Sequence, residues 1–574
     1  MTHIATIQLQ DYFHHKAFDA LVARHHWTRF ESELEKSVGD TLELLDTCDV
    51  KATFFTLGWI AERFPELIRR IAGAGHELAS CGYWGHSPRA VSEDAFYEDI
   101  VRAKKAIEDV SGLCVVGYRS VRQSLGVTDL SILGIIRKAG YLYDSSLMPT
   151  GLVSRRVARL RYKTEHETLS GRITEIPHST SNFAGVSFPI GGGNYLRQFP
   201  YKFMAARFKH WCRSGRGPFV LYFHPWELSS RIPEVSAFGL VGQVRQYRNL
   251  GKMQYILPRY FAIAPFGTAA NYLRIAPTHV ARQDDRVATG GDVNVAVRSP
   301  ASRTSPTPVT AVIPCHNESK TLPFLDKALH ELEEESKAYS FSFIFVDDKS
   351  TDNTLRDLRN RFGDRPNCRV VALEQNRGVS GAIRAGIDEA ETDVVCSMDA
   401  DCSYDPLELI RMIPLLDRNV DMVTASPYHP DGAVLGVPGW RLFLSRSLSS
   451  MYHRVLSTKL ATYTSCFRVY RRPSVQEVTT RYGDFRGILE LLAKLDFSER
   501  TIIEYPTTLQ SRLFGASKMK TLYTIRDHFR LMSELIREKR RGPKATSRAS
   551  HGPELESRTA GGQSEQGLHT DLDS

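Results

Sequence analysis

Three acidic clusters stand out for the chemistry they could do: Glu318 in VIPCHNES, Asp347 and Asp348 in VDDKSTDNT, and Asp399 and Asp401 in SMDADCSYDP. Each follows an apolar, β-branched run that reads as a buried strand. Ligands of open α/β sheets bind outside the carboxyl ends of strands, so these loops are expected to converge on one crevice. Asp399 and Asp401, carboxylates at i and i+2 on a tight turn, could hold a hard divalent cation with a diphosphate. Taken alone, the same pattern also fits an ordinary acidic turn. Asp352 and Asn353 fit helix capping. A second constellation lies in HELASCGYWGHSP, where Cys81 and His86 share one short loop and offer zinc-ligand chemistry.

The elements that must position these residues fall into two series. In the first, KATFFTLG is strand-like and AERFPELIRRIAGAG has helical spacing ending on glycine. SEDAFYEDIVRAKKAIEDVSG is a helix between a capping serine and a closing glycine. GPFVLYFHPWE reads as a late buried strand. From Val309 the alternation restarts with strands VTAVIP, FSFIFVDD, CRVVAL and DVVCSMD separated by helices, which implies parallel βαβ units in a doubly wound sheet. The expected organisation is a first domain over 1–278, a polar Ser/Thr/Gly/Pro linker over 279–308, a second domain over 309–534 and a disordered basic and polar tail over 535–574.

With 574 residues the chain needs more than one core. At 42% hydrophobic and 24% charged it reads as ordinary globular protein. No apolar run is long enough for a transmembrane helix, and the start MTHIATIQLQDYFHHK lacks a signal-peptide pattern. The nine cysteines are scattered without a CxxC pair, which fits reduced thiols in the cytoplasm. A net charge of +9 fits anionic partners. Without zinc-finger spacing or an aromatic ribonucleoprotein motif, nucleic acid is not expected.

The ordered set VIPCHNE, VDDKSTDNT, NRGVSGAIRAGI, MDADCSYDP, YTSCFRVYRR and SRLFGASKMK resembles glycosyltransferase family 2, a GT-A (Rossmann-like) fold, in its dolichyl- and polyprenyl-phosphate mannosyltransferase branch. The resemblance covers about Val309 to Leu531. It implies that Pro314, His316 and Glu318 line a nucleotide pocket and that Val346 and Asp348 contact base and ribose. It further implies that Asp399, Ala400 and Asp401 hold metal and diphosphate beside Ser403, with Arg441, Arg512 and Lys518 on phosphates. Of these, Asp399, Asp401, Arg512 and Lys518 would be catalytic. Ser403 stands where glutamine is common, and Pro427 where many members have arginine. Family members acting on hydroxyls often carry a Glu-Asp pair on a later helix. Here that region reads YGDFRGILELLAKL. A phosphate monoester acceptor, already anionic, needs no base; Asp484 or Glu490 could still act as one. GWRLFLSRSLSSMYHRVLS is amphipathic and basic, fitting either a membrane interface or a core helix with a basic outer face.

The stretches TIQLQDYF, KATFFTLGWIAERFPELIRRIAGAGHELAS, GYRS, YDSS, FPIGGGNY and LYFHPWEL resemble polysaccharide deacetylases of the NodB type, in the exopolysaccharide-locus subgroup. The implied fold is a distorted (β/α) barrel over about residues 4 to 265. The family's aspartate base and second carboxylate ligand read Gln8 and Gln10 here, leaving Asp11. Its two histidines read Cys81 and Gly85, with His86 one residue further on. Arg119 persists but Val121 replaces a proline. His224, the family's general acid, remains. Either the barrel is a disarmed carbohydrate-binding or positioning module, or Cys81, His86 and Asp11 form a rewired zinc site.

The whole chain is thus expected to be an α/β, inverting, metal-dependent glycosyltransferase with Mg²⁺ or Mn²⁺. It would move a sugar from a UDP- or GDP-sugar to polyprenyl phosphate in surface polysaccharide or lipid-linked sugar synthesis. The barrel is expected to be inactive, with zinc there disfavoured and glycan binding open. The setting is cytoplasmic, with peripheral contact at the inner membrane face. A bifunctional deacetylase/transferase and a soluble hydroxyl acceptor remain as alternatives.

Overall fold

The computed structural model describes residues 1–14, 18, 22–121, 131–152, 160–183, 185–229, 232–235, 240–276, 278–279, 305–437, 439–514 and 521–541. Most of the expected linker and the chain beyond Arg541 lie outside the described residues.

In the N-terminal half, strands β1 (His3–Leu9), β2 (Thr53–Thr56), β3 (Glu77–Ser80), β4 (Gly117–Tyr118), β5 (Tyr143–Asp144), β6 (Gly171–Glu175) and β7 (Val220–Phe223) form one sheet in the order β7-β1-β2-β3-β4-β5-β6. Every neighbouring pair on that path is parallel. Beyond β6 the path ends on an antiparallel hairpin strand, Thr164–Thr168, and among the described residues the hydrogen-bonded path does not close into a complete ring, which is how the expected barrel is distorted. Strands β1, β2 and β7 are buried along their whole length, as parallel strands covered on both faces must be.

In the C-terminal half, β8 (Thr307–Cys315), β9 (Tyr339–Asp347), β10 (Cys368–Ala372), β11 (Val394–Ser397), β12 (Met422–Ser426), β13 (Arg468–Arg471) and β14 (Ile502–Pro506) form a sheet in the order β10-β9-β8-β11-β13-β12-β14. The parallel set β10-β9-β8-β11 reverses direction of winding between β8 and β11. A crevice opens there, outside the strand ends. Helix α1 (Leu322–Glu335) buries Leu322, Leu325, Leu329 and Leu332 at helical spacing on one face of the sheet. Helix α2 (Gly378–Glu389) covers the other face, where Val312, Ile344 and Val346 pack with Ala382, Ile383 and Ile387.

The sheet is not all parallel, as the strand–helix alternation suggested. Strand β13 runs antiparallel to both β11 and β12. The reason is the connection before it. Helix α3 (Gly439–Val455) buries only Ser449 and Tyr452, so it does not lie across the sheet as a crossover helix would. Its C-terminal half packs on the core through Leu448, Tyr452 and the following Leu456, while its N-terminal half is exposed. A second correction concerns the expected end at residue 534. Helix α5 (Thr521–Arg541) continues to Arg541, because Leu531 and Leu535, one helical turn apart, are both buried beside α4 (Phe485–Phe497).

The two halves share one hydrophobic cluster that runs from the barrel strands into β8, α1 and the turn after β11. The 3-10 helix Arg24–Arg29 and Phe30 carry the barrel's side of this contact. Phe30 packs 5.1 Å from the Phe324 ring and 6.2 Å from Phe514.

Gly386 of α2 faces β8, and a Cβ there would sit 2.3 Å from Val312 Cγ1. Replacement by alanine overpacks the helix–sheet contact. Gly386→Ala should therefore cost about 1–3 kcal/mol, measured as a lower midpoint for the full chain in denaturant unfolding.

Candidate functional site

The three acidic loops do converge, at the ends of β8, β9 and β11. Each carries a non-glycine residue in the left-handed region: Asn317, Lys349 and Cys402 have φ of 56°, 57° and 52°. That conformation turns the chain sharply after each strand, and such outliers collect at functional sites. Asn317 stabilises its turn with its own side chain. Its Oδ1 accepts from the backbone N–H of Thr351 at 2.7 Å and of Asp352 at 3.2 Å, tying the first loop to the second.

Pro314 sits on β8 in register with Val346 of β9, so both flank the crevice from adjacent strands. Asp348 lies one residue past β9, and its carboxylate is already occupied. It accepts the Arg377 N–H at 2.6 Å and the Gly378 N–H at 2.8 Å. Gly378 is at φ 76°, with Gly483 O 2.7 Å from where a Cβ would stand, so only glycine fits this approach. His316 Nδ1 lies 2.9 Å from the Asp348 carbonyl, joining the first two loops again. This side of the crevice is therefore a braced floor. Asp347 is buried, and one of its carboxylate oxygens has no hydrogen-bond partner.

Asp399 and Asp401 stand on the turn after β11, with Ala400 buried between them. Asp401 Oδ1 accepts the Ser403 N–H at 2.9 Å and also the Ser403 hydroxyl. Ser403 thus caps the turn from within. Arg512 reaches into the same place. It forms an ion pair with Glu318, its Nε lies 3.6 Å from Asp401 Oδ2, and that Nε donates to the Phe514 carbonyl at 2.8 Å. Burial raises the Asp399 carboxyl, and the neighbouring Asp401 carboxylate raises it further, while Arg512 offsets this in part. Burial also raises Glu318, against the pull of Arg512. Three carboxylates facing one guanidinium leave a deficit of positive charge. An oxygen-rich site of that kind suits a hard divalent cation, and Asp399 and Asp401 are the pair placed to hold it.

The remaining expected residues are placed as follows. Arg441 is on α3, exposed, with its guanidinium 5.2 Å from the Trp440 ring. Lys518 lies outside the described residues. Asp484 caps α4 and pairs with Arg486, which holds its carboxyl below the usual range against the opposing effect of burial. Glu490 is buried, accepts the Arg481 N–H at 2.7 Å and pairs with Lys494. Both candidate bases are engaged in structural roles. Asp352 bonds the Thr354 N–H at 2.9 Å, an Asx cap on the next helix. Arg377 and Gly378, in the NRGVSGAIRAGI stretch but with no individual role expected from sequence, grip Asp348 through their backbone N–H groups.

The barrel site is filled by its own side chains. Gln8 Nε2 donates to the Val121 carbonyl at 3.0 Å, and Gln10 is buried with its amide nitrogen unpartnered. Cys81 is fully buried, 3.6 Å from the Phe55 carbonyl, and burial pushes its thiol far up. Gly85 is at φ 64°, with Val121 Cγ2 2.6 Å from a Cβ, so a side chain there is excluded. His86 pairs with Arg24, a cation. Arg119 is buried, donating to Thr6 Oγ1 at 2.8 Å and to Ser145, and burial lowers it to about 10. His224 Nδ1 lies 3.4 Å from Glu227, which pairs with Arg197 at 2.9 Å. Among the described residues Asp11, Cys81 and His86 do not form a cluster whose ligand atoms could share one ion. The rewired zinc site therefore lacks its geometry here.

Family models match separate parts of the chain. The model of glycosyl transferase family 2 matches residues 310–479, that of polysaccharide deacetylase matches 23–143, and a domain of unknown function (DUF3473) matches 145–275. Polyprenol monophosphomannose synthase of Mycolicibacterium smegmatis is 28% identical over 216 residues, 36% of this chain and 79% of that protein. Dolichol-phosphate mannosyltransferase of Pyrococcus furiosus is 27% identical over 230 residues, 39% of this chain and 63% of that protein. A glucosyl-3-phosphoglycerate synthase structure from Mycobacterium tuberculosis, in complex with Mn²⁺, uridine diphosphate and glucosyl-3-phosphoglycerate, is 18% identical. It covers 42% of this chain and 82% of that one, with a TM-score of 0.30. The C-terminal domain is a family 2 glycosyltransferase, and the N-terminal half carries a polysaccharide deacetylase-type domain.

Asp11 gives the barrel site a measurable signature. Burial pushes its carboxyl up to about 6, against the pull of hydrogen bonds from Ser32, Tyr12 and Glu33. The unfolded value is about 4. Its contribution to stability is fully present below the unfolded value and is lost as pH rises through the folded one. The stability of wild type relative to Asp11→Asn should therefore fall by about 2 kcal/mol between pH 4.5 and 7.5, as read by denaturant unfolding at the two pH values.

Proposed function

We propose that the glycosyltransferase domain transfers a sugar from a nucleoside-diphosphate sugar to a polyprenyl phosphate, with inversion at the anomeric carbon. The observation that carries this reading is the convergence of Glu318, Asp399, Asp401 and Arg512 at the strand-end crevice. The relatives named for polyprenol and dolichol phosphate support the acceptor class.

On this reading the nucleoside rests against Pro314, His316, Val346 and the floor braced by Asp348. Asp399 and Asp401 would hold a divalent cation, Mg²⁺ or Mn²⁺, which supplies charge neutralisation for the departing diphosphate. Arg512 exchanges its Glu318 partner for a diphosphate oxygen and stabilises the charge that develops there. The bond from the anomeric carbon to the diphosphate breaks with its electron pair on the leaving oxygen. A phosphate oxygen of the acceptor forms the new bond from the opposite face. A phosphate monoester loses its second proton near pH 6, so the nucleophile is already ionised at neutral pH. The structural engagement of Asp484 and Glu490 favours this acceptor over a hydroxyl.

A lipid-linked acceptor requires contact with a bilayer. Among the described residues no helix is long and apolar enough to cross one. Helix α3 instead exposes Trp440 (53%) and Phe443 (71%) next to Arg441, Arg446 and Arg454. Aromatic residues beside basic ones suit an anionic interface, and Arg441 sits there to meet headgroup or acceptor phosphate. The barrel on this reading performs no deacetylation, since its base and ligand positions are glutamines, cysteine and glycine.

The donor is found by thermal shift of the full chain with UDP, GDP and their sugars in the presence of Mn²⁺, because a ligand of the folded state raises its midpoint. With that donor and a short-chain polyprenyl phosphate, product should form, and chelation should abolish it. Asp399→Asn should lower transfer at least about 100-fold, the scale of losing several kcal/mol of charge stabilisation. Unchanged transfer by this variant would overturn the role given to the pair.

A further inference from the structure

The turn that carries Asp399 and Asp401 is held from two directions. From inside its own domain, Ser403 caps Asp401, and the Gln510 N–H donates to the Ser403 carbonyl at 2.8 Å. From outside, the barrel reaches it. Asp405 lies on the same turn and accepts the Leu407 N–H at 3.1 Å. Its Oδ1 also takes Arg29 at 2.9 Å, and its Oδ2 takes His26 Nε2 at 2.8 Å. Arg29 is fully engaged, since its Nε donates to Glu331 of α1 at 2.7 Å and its side chain is 2% exposed. One buried guanidinium thus ties the cation-holding turn to helix α1 through a residue of the other domain.

The neighbouring residue acts on Arg512. Phe30 packs against Phe514, whose carbonyl receives the Arg512 Nε at 2.8 Å. Lys327 of α1 donates to the Phe30 carbonyl at 2.7 Å, fixing the ring's backbone. Residues 26–30 therefore touch both halves of the candidate diphosphate site: the carboxylate turn through Asp405, and the arginine loop through Phe514. His25, His26 and Asp405 also bring their ligand atoms within 4.8 Å of one another. With Arg29 on the same carboxylate, charge is already balanced there, which makes this an ion-pair cluster rather than a second cation site.

We infer that His26, Arg29 and Phe30 of the deacetylase-type domain are positioning residues of the transferase: they hold the Asp399–Asp401 turn and the Arg512 loop in the geometry that binds cation and diphosphate. This rests on the transferase reading above. The barrel so acts as a fixed jaw of the transferase site, a role that needs none of the chemistry its own site has lost. Burial alone would raise the Asp405 carboxyl, but His26 and Arg29 hold it well below the usual range, so it is anionic at any working pH. An arginine bound to two carboxylates is geometrically demanding, and lysine replaces its charge but not its fork.

The test uses the full chain and two readouts, Mn²⁺ affinity by calorimetry and transfer kinetics. Arg29→Ala should weaken Mn²⁺ binding at least fivefold and lower kcat/KM at least tenfold. Arg29→Lys should recover part of both, and circular dichroism should stay that of wild type. Asp405→Asn should reproduce the defect, and the double variant should be no worse than Arg29→Ala, because both changes break one interaction. Folded Arg29→Ala with Mn²⁺ affinity and kcat/KM within twofold of wild type would overturn the inference, as would fully additive losses. If Arg29→Ala does not fold, Asp405→Asn decides by the same limits. A wild type that binds Mn²⁺ but transfers no sugar sinks the proposed reaction, while the calorimetric comparison still decides the positioning role. No Mn²⁺ binding by wild type overturns both.

Discussion

Carboxylates gathered at the end of a buried strand repel one another, and the transferase half is arranged around that repulsion. Asp399 and Asp401 are separated by one alanine, and Glu318 approaches from the neighbouring strand end. A cluster of this kind is costly unless positive charge reaches it. Arg512 provides part, and a bound cation would provide more. The left-handed residue in each loop and the glycine at 378 all serve to bring the chain back toward this point. What looks like three separate motifs is one electrostatic arrangement distributed over three strand ends.

The sequence made the C-terminal site legible because its elements are local. A strand, a tight acidic turn and a helix cap are each specified within about ten residues, and the parallel order of the first strands then forces the loops together. Sequence reasoning failed where the determinant was not local. The antiparallel strand Arg468–Arg471 depends on helix α3 leaving the sheet, and nothing in its own residues signals that. The grip of Arg377 and Gly378 on Asp348 is made by backbone N–H groups, which any residue carries. The exposure of Trp440 beside Arg441 on α3 likewise depends on where that helix leaves the sheet. The contact between Arg29 and Asp405 joins positions from different domains, and no periodicity or spacing links them.

On the proposed reading, the barrel site is closed by its own packing. Val121 fills the space that a side chain at 85 would need, and the left-handed backbone of Gly85 confirms that the loop has settled around a residue without a Cβ. Cys81 has sunk into the core, where its thiol is inert. His86 has turned to Arg24. Among the described residues these contacts leave Cys81 and His86 without a shared set of ligand atoms for one ion. Restoring single ligand residues would therefore meet a packed wall rather than an empty cavity.

The shared wedge of Arg29 and Phe30 bears on how such a chain can change over generations. Substitutions at the barrel floor, around Gln8, Gln10 and Cys81, meet only local packing, so drift there is cheap so long as volume is kept. Substitutions on the rim at residues 26–30 are felt at a reaction in the other domain. Two rates of divergence are then expected within one fold, slow where it touches the transferase and fast where its former chemistry was. A lineage could lose every trace of the deacetylase and still be unable to discard the barrel.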